Sequence, residues 1–372
     1  MIRQDKFKVL SLKHILLISL MTSLIISSCG GCGEISDKTT PLLTTPESET
    51  QCGWIYRGTE QERGVVVIVS RDNGYIIVSK IPFSDECDCN YLGVSKIDGK
   101  GDLVWKKIIE IETYCPTTLH GTVIERNDGT IYLTTLCVDP NTQEECVPYE
   151  IVMDQQGNII STARIEGSLA LVDYGDANYQ IRTTEGEYIS LRGSTMSPGL
   201  ELCPMIIKHD INKYFQWQKV LGEADDGFYG IKQTSDNGYI IAGQSGNLTG
   251  DHADACLIKT DMNGEIEWRK NYGGEKNDIA TSVIIAPDGG YIFVGWTCSY
   301  GNGSGDVYMV KIDESGNEEW SRTFGDSNSE GGFYILRKTN GQYVIAGSTC
   351  AADGDNDILL IITDSEGNCA IE

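Results

Sequence analysis

The side chains able to do chemistry are numerous and unevenly placed. Thirteen cysteines, four histidines and 54 Asp and Glu are spread over 372 residues, with a formal net charge of −25. Three carboxylates alternate in the stretch DGDND as Asp353, Asp355 and Asp357. Alternating oxygens are what calcium loops use, but no glutamate follows at the distance an EF-hand demands, so a solvated acidic loop competes with a calcium site. Cys87-Asp-Cys89 is the nearest approach to a cysteine pair. His120, His209 and His252 lie in different parts of the chain and form neither a His-rich metal site nor a triad. No cofactor motif is present, and calcium is the one ion the pattern suggests.

Cys29 carries chemistry of another kind. Arg3, Lys6, Lys8 and Lys13 lead into the apolar run ILLISLMTSLII over 15–26, too short to span a bilayer comfortably. The run ends in Ile-Ser-Ser-Cys29, which resembles the lipobox of bacterial lipoproteins, and that resemblance implies lipid on Cys29 as the first residue of the mature chain. The expected organisation is a signal peptide over 1–28, a flexible Gly, Ser, Thr, Pro and Glu-rich tether over 29–51, and a globular part over 52–372. Gly30 gives no Asp-type retention signal, which points to the outer membrane or cell surface. Removing residues 1–28, with their four Lys or Arg and one Asp, takes the net charge from −25 to −28. Nucleic acid and anionic membrane surfaces are poor partners for such a chain. The lipid is then the only expected membrane contact.

An exported chain rich in cysteine meets an oxidising compartment, where disulfides form. Cys137 and Cys146 bracket one short loop, and closing it restricts the unfolded chain by about 2–3 kcal/mol. Cys52 and Cys369 each stand two residues before equivalent positions, Trp54 and Ile371, and are expected to clasp the two chain ends.

These residues are held by a repeat. The residues opening one apolar strand are Tyr75, Ile131, Tyr188, Tyr239, Tyr291 and Tyr343, spaced 56, 57, 51, 52 and 52 apart. A second marker follows in phase: Asp98, Gly101 and Trp105; Asp261, Gly264 and Trp268; Asp313, Gly316 and Trp320. The third unit has Asp210 and Trp217 but Lys213 in place of the glycine, while the second (Asp154, Gly157) and sixth (Asp364, Gly367) lack the Trp. Each unit parses into four strands, for the fifth 281–286, 291–296, 307–312 and 317–323, and no convincing helical period follows the signal. The pattern predicts an all-β fold, a six-bladed β-propeller of four-stranded antiparallel blades. Because the last unit is short of a fourth strand, the segment around Trp54 is expected to complete it and remove an open edge.

The unit Asp-Gly-Gly-Tyr-Ile-x-Ala-Gly, followed by Asp-x-x-Leu-x-Lys-x-Asp-x-x-Gly-x-x-x-Trp, resembles the repeats of secreted and surface bacterial β-propeller proteins, related in shape to quinoprotein-like propellers. The resemblance covers nearly all of 52–372 and is strongest over 226–367. It implies a fold rather than a reaction.

Connections between strands one and two, and three and four, are short polar turns. The others are long and unlike one another: 82–90, 137–146, 193–203, 243–254, 298–306 and 350–357. One face is therefore expected to be plain scaffold and the other variable and acidic, where binding sites are usually built. On that face Trp296 departs from the repeat, standing where other units have Gln244 and Ser348, with Tyr300 beside it and His252 and Asp254 of the preceding unit in reach. Its ring either stacks on a ligand or fills a gap between blades. Asp254, Asp306 and Asp357 recur in phase and are expected to accept backbone N–H groups of the loops before them. The expected function is non-catalytic binding of a protein or carbohydrate ligand by a monomer. The alternative is a propeller enzyme, quinoprotein-like or glycoside-active, the latter needing two carboxylates about 5–10 Å apart.

Overall fold

Tyr291–Thr297 is buried at all of its positions, because both faces of this strand are covered. That is why the repeated strands read as continuous apolar runs rather than alternating ones. Outer strands behave differently: Ile266–Tyr272 and Glu318–Phe324 are mostly exposed or half-buried.

The computed structural model describes residues 48–50, 53–56, 63–84, 87–109, 123–138, 146–164, 180–192, 203–248, 253–350 and 356–369. It is a six-bladed β-propeller of antiparallel sheets, with no helix among the described residues. Blade 1 is Arg63–Val69, Tyr75–Ser84, Cys87–Ile97 and Leu103–Ile109; blade 2 is Val123–Glu125, Ile131–Val138, Cys146–Met153 and Ile159–Arg164. Blade 3 is Gln180–Arg182, Tyr188–Arg192, Met205–His209 and Phe215–Val220; blade 4 is Gly227–Gln233, Tyr239–Ser245, Asp254–Thr260 and Ile266–Tyr272. Blade 5 is Asp278–Ile285, Tyr291–Thr297, Asp306–Ile312 and Glu318–Phe324, matching the strands expected from sequence to within a few residues. First strands touch the first strands of neighbouring blades, so they converge on the central channel.

Blade 6 closes the ring. Its own strands Ser329–Arg337, Tyr343–Cys350 and Asn356–Thr363 are completed by Gly53–Tyr56, with Trp54 opposite Leu360. Blade 6 in turn packs on the first strand of blade 1. Two local expectations change. Ser48–Thr50, placed in the tether from sequence, pairs with Gly53–Tyr56 as a fifth strand, covering an edge that would otherwise expose unpaired backbone groups. The loop expected at 82–90 is mostly hairpin, since pairing continues through Pro82 with Asn90 and Ser84 with Cys87.

The glycine and the tryptophan of the second sequence marker are explained by one contact between blades. Each fourth-strand Trp lies on the turn glycine of the next blade: Trp54 on Gly101, Trp105 on Gly157, Trp217 on Gly264, Trp268 on Gly316 and Trp320 on Gly367. A Cβ on Gly367 would come within 2.7 Å of the Trp320 ring, and its φ of 74° is itself unfavourable to a side chain. The exceptions obey the same rule. Blade 2 has no Trp to offer, and the blade 3 turn carries Lys213, at φ 67°, instead of glycine. Blade 6 lacks a Trp of its own because Trp54 supplies it. Beneath these contacts the junctions 1/2, 3/4, 4/5, 5/6 and 6/1 hold apolar clusters, each with the Trp packed against it or within it.

A second repeated device lies within the blades. The buried third-strand Lys259 bonds Asp236 at 2.8 Å and Glu267 at 3.0 Å, and Lys311 bonds Asp288 at 2.9 Å and Glu319 at 2.8 Å. Each ties the turn between strands one and two to the fourth strand. Although burial opposes it, the Lys259 hydrogen bond and charge hold Asp236 down at about 2.

Candidate functional site

On the variable-loop face, the first strands of blades 4, 5 and 6 begin with buried acids, Asp226, Asp278 and Glu330. Asp226 bonds Arg269 Nη2 at 2.9 Å and accepts N–H groups from Glu223 and Gly246. Asp278 accepts the Gly274 N–H at 2.8 Å and the hydroxyls of Ser299 and Thr297. Glu330 accepts the Thr349 hydroxyl at 2.8 Å and the Asp326 N–H at 3.3 Å. Burial pushes the Glu330 carboxyl up to about 7, against the Thr349 bond and with help from the charges of Asp326 and Asp306. Asp306 accepts N–H groups of Asn302 and Gly303, the loop-ordering role expected of it, while burial raises its carboxyl. Asp306 and Glu330 meet at the blade connection, both with an oxygen within 2.6 Å of the point where a Cβ on Gly325 would stand.

Two of the four expected ligand residues, Tyr300 and Asp254, meet at Gly273, one blade earlier. The Tyr300 hydroxyl donates to Gly273 O at 2.6 Å, and Asp254 and Asp278 both crowd Gly273. Trp296 is 2% exposed and packs with Leu248, Ala253 and Ile279. Its indole lies on Gly305, its N–H without an acceptor, so the ring fills the space between blades rather than facing solvent. His252 lies outside the described residues, as do Cys29, Cys52, Asp353 and Asp355. Asp357 is buried in the third strand of blade 6. No group of three or more His, Cys, Asp or Glu among the described residues could hold a metal ion. Cys137 pairs in register with Val147, and Cys146 with Val138. Cys298, Cys350 and Cys369 are disulfide-bonded, with no pairing defined between described cysteines, and Cys203 and Cys256 are free thiols.

A cavity lined by described residues sits elsewhere. It has about 450 Å³ and is formed by the far ends of the first strands of blades 3 to 6, about 20 Å along the strands from the buried acids. It therefore opens on the tight-turn face, the one expected to be plain scaffold. Arg182 and Thr184 come from blade 3, Lys232 and Gln233 from blade 4, Ile284 and Ile285 from blade 5, and Tyr334 to Arg337 from blade 6. Blades 3 and 6 stand opposite each other in a six-membered ring, so Arg182 and Arg337 reach the cavity from opposite sides. Gln233 ties two walls together, accepting the Thr184 N–H at 2.9 Å and donating to Glu185. Arg182 Nε donates to Gly186 O at 3.4 Å, and Arg337 lies against the Tyr343 phenol.

No family model matches the chain, and neither does any curated protein sequence. Solved structures share its fold. An α-L-arabinanase from Penicillium chrysogenum, complexed with arabinobiose, is 8% identical with a TM-score of 0.51, covering 82% of this chain and 94% of that one. An α-L-arabinofuranosidase from Fusarium graminearum, in complex with an iminosugar inhibitor, is 11% identical with a TM-score of 0.49 over 82% and 94% of the two chains. A protein of unknown function from Bacteroides caccae is 14% identical with a TM-score of 0.36 over 71% and 94%. At these identities what is shared is the propeller itself.

The channel residues were open to detection from sequence. Six positions before each strand marker stand Val69, Glu125, Arg182, Gln233, Ile285 and Arg337. This position varies while its surroundings repeat. Attention to loop length alone passes over it.

Proposed function

We propose that the protein is a non-catalytic binding propeller, held outside the cytoplasm by lipid on Cys29, which takes a carbohydrate or protein ligand at the channel mouth on its tight-turn face. The observation that carries this reading is the cavity lining: among the described residues it contains no Asp, Glu, His, Cys or Ser. Hydrolysis by a carboxylate pair has no residues there to use. Cations, amide, hydroxyls and apolar surface are what a recognition pocket needs. The acids of the other face are engaged in ordering backbone and loops. The test is capture on a glycan array and from cell-surface extract by the detergent-solubilised protein and by Ile285→Trp, which fills the mouth. Loss of capture in the variant is expected; unchanged capture would move the site elsewhere.

A second reading rests on the pair Asp306 and Glu330. Two neighbouring carboxyls, one raised to about 7, are the materials of a glycosidase acid and its partner. The arabinanase likeness makes arabinan the first substrate to try. Release of reducing sugar that Glu330→Gln abolishes would establish this reading; its absence from the wild-type protein would end it.

A further inference from the structure

From the charge of the channel mouth we infer that its ligand is an anion of small-molecule size, carrying acid groups at two points on a partly apolar body. This deepens the reading of the mouth as a binding site and rests on it. The chain as a whole is strongly acidic, with a formal net charge of −25. The cavity reverses that sign: Arg182, Lys232 and Arg337 line it, and no carboxylate among the described residues does.

Both arginines have their guanidinium groups engaged locally without an acidic partner. Arg182 donates to a backbone carbonyl and stands 5.7 Å from the Tyr188 ring centroid, and Arg337 neighbours a phenol. Neither bonds a carboxylate among the described residues, so each keeps donors for one. A guanidinium presents a planar fork that matches carboxylate, phosphate or sulfate, and two forks approaching from opposite walls select a ligand with two such groups. Ile284, Ile285 and Leu336 supply the apolar floor between them, and Thr184 and Gln233 add polar contacts. Outside the lining, the charges at this end of the ring are of both signs. Arg71 and Arg126 end the corresponding segments of blades 1 and 2, with Arg126 stacked 3.6 Å over Tyr132. Glu125 on blade 2 is not in the cavity lining and accepts the Arg71 N–H at 2.8 Å. Glu185 lies on the turn beyond Gln233.

The test is calorimetric titration of the detergent-solubilised protein with inorganic phosphate, citrate, digalacturonate and neutral galactobiose, in wild type, Arg182→Gln/Arg337→Gln and Ile285→Trp. Citrate or digalacturonate is expected to bind more tightly than phosphate, and galactobiose not at all. Affinity should fall about tenfold for each guanidinium removed, and further with added salt. Both arginines are exposed, so an unchanged melting temperature checks that the double variant is folded. Binding of galactobiose as tightly as digalacturonate, anion binding indifferent to the double substitution, or no binding by any of the three anions would overturn the inference. The mouth itself stands or falls separately, on whether Ile285→Trp abolishes capture of whatever the array identifies.

Discussion

Trp54 of the N-terminal strand lies across Gly101 of blade 1, so close that a Cβ on Gly101 would come within 2.3 Å of Trp54 Cε2. Tyr56 fastens the same turn, its hydroxyl donating to Gly101 O at 2.7 Å. The strand Gly53–Tyr56 therefore does two things at once: it completes blade 6 and locks that blade onto blade 1. The four other Trp and glycine pairs repeat this contact around the ring.

The lock predicts a difference between two turns. At Gly264 alanine meets the Trp217 ring and a φ of 77°, and Gly264→Ala is expected to cost about 2–3 kcal/mol by urea unfolding. At Lys213 a side chain is already accommodated, and Lys213→Ala should cost under about 1 kcal/mol, the loss of its contact with Tyr188 included. Equal effects at the two turns would mean that the Trp contact is not what constrains the glycine.

Trp296 is assigned to packing. Trp296→Ala should destabilise the protein by about 3–5 kcal/mol, as large-to-small changes in a filled core do. A variant with unchanged melting temperature and lost ligand capture would return the ring to a binding role.

Glu330 makes stability depend on pH. Its carboxyl is raised from 4.5 to about 7, so between those values the native state keeps a proton that the unfolded chain has released. Stability from this group is full below about pH 4.5 and declines as pH rises to 7, by about 2–3 kcal/mol. Urea titrations at pH 5 and pH 7.5 should show that decline in wild type and much less of it in Glu330→Gln. Parallel curves for the two proteins would place the titration elsewhere.

Lipidation at Cys29 is checked by fatty-acid labelling. Wild type should incorporate label and Cys29→Ser should not; equal incorporation would remove the anchor from the proposal.

Disulfide mapping under non-reducing conditions is expected to find Cys52 joined to Cys369, and Cys137 to Cys146. Cys369 is disulfide-bonded, and the last blade brings the chain ends together. Cys137 stands opposite Val147 and Cys146 opposite Val138, on opposite faces of the pair, so the second bridge requires the register to shift by one residue. Recovery of both members of a pair in alkylated form would refute that pair. Cys256 should resist alkylation in the folded protein, since burial pushes its thiol up to about 12.

Six blades, their strands and the return of the N-terminal segment to the last of them were legible in the residues alone. Those follow from local properties: apolar runs that want both faces covered, glycine where φ is positive, and a last unit one strand short. What meets what was decided only by the closed ring. Trp320 finds Gly367, Lys338 finds Tyr75 from 263 residues away, and Arg182 and Arg337 face one cavity because six first strands converge on a common axis. Loop length pointed to the variable face; there Trp296 is buried, and a cavity among the described residues opens at the opposite end. A residue's place in the repeat records its hydrogen bonds and its own turn, whereas its exposure depends on the neighbouring blade, which lies about 50 residues away in the chain and has a different side chain at each junction.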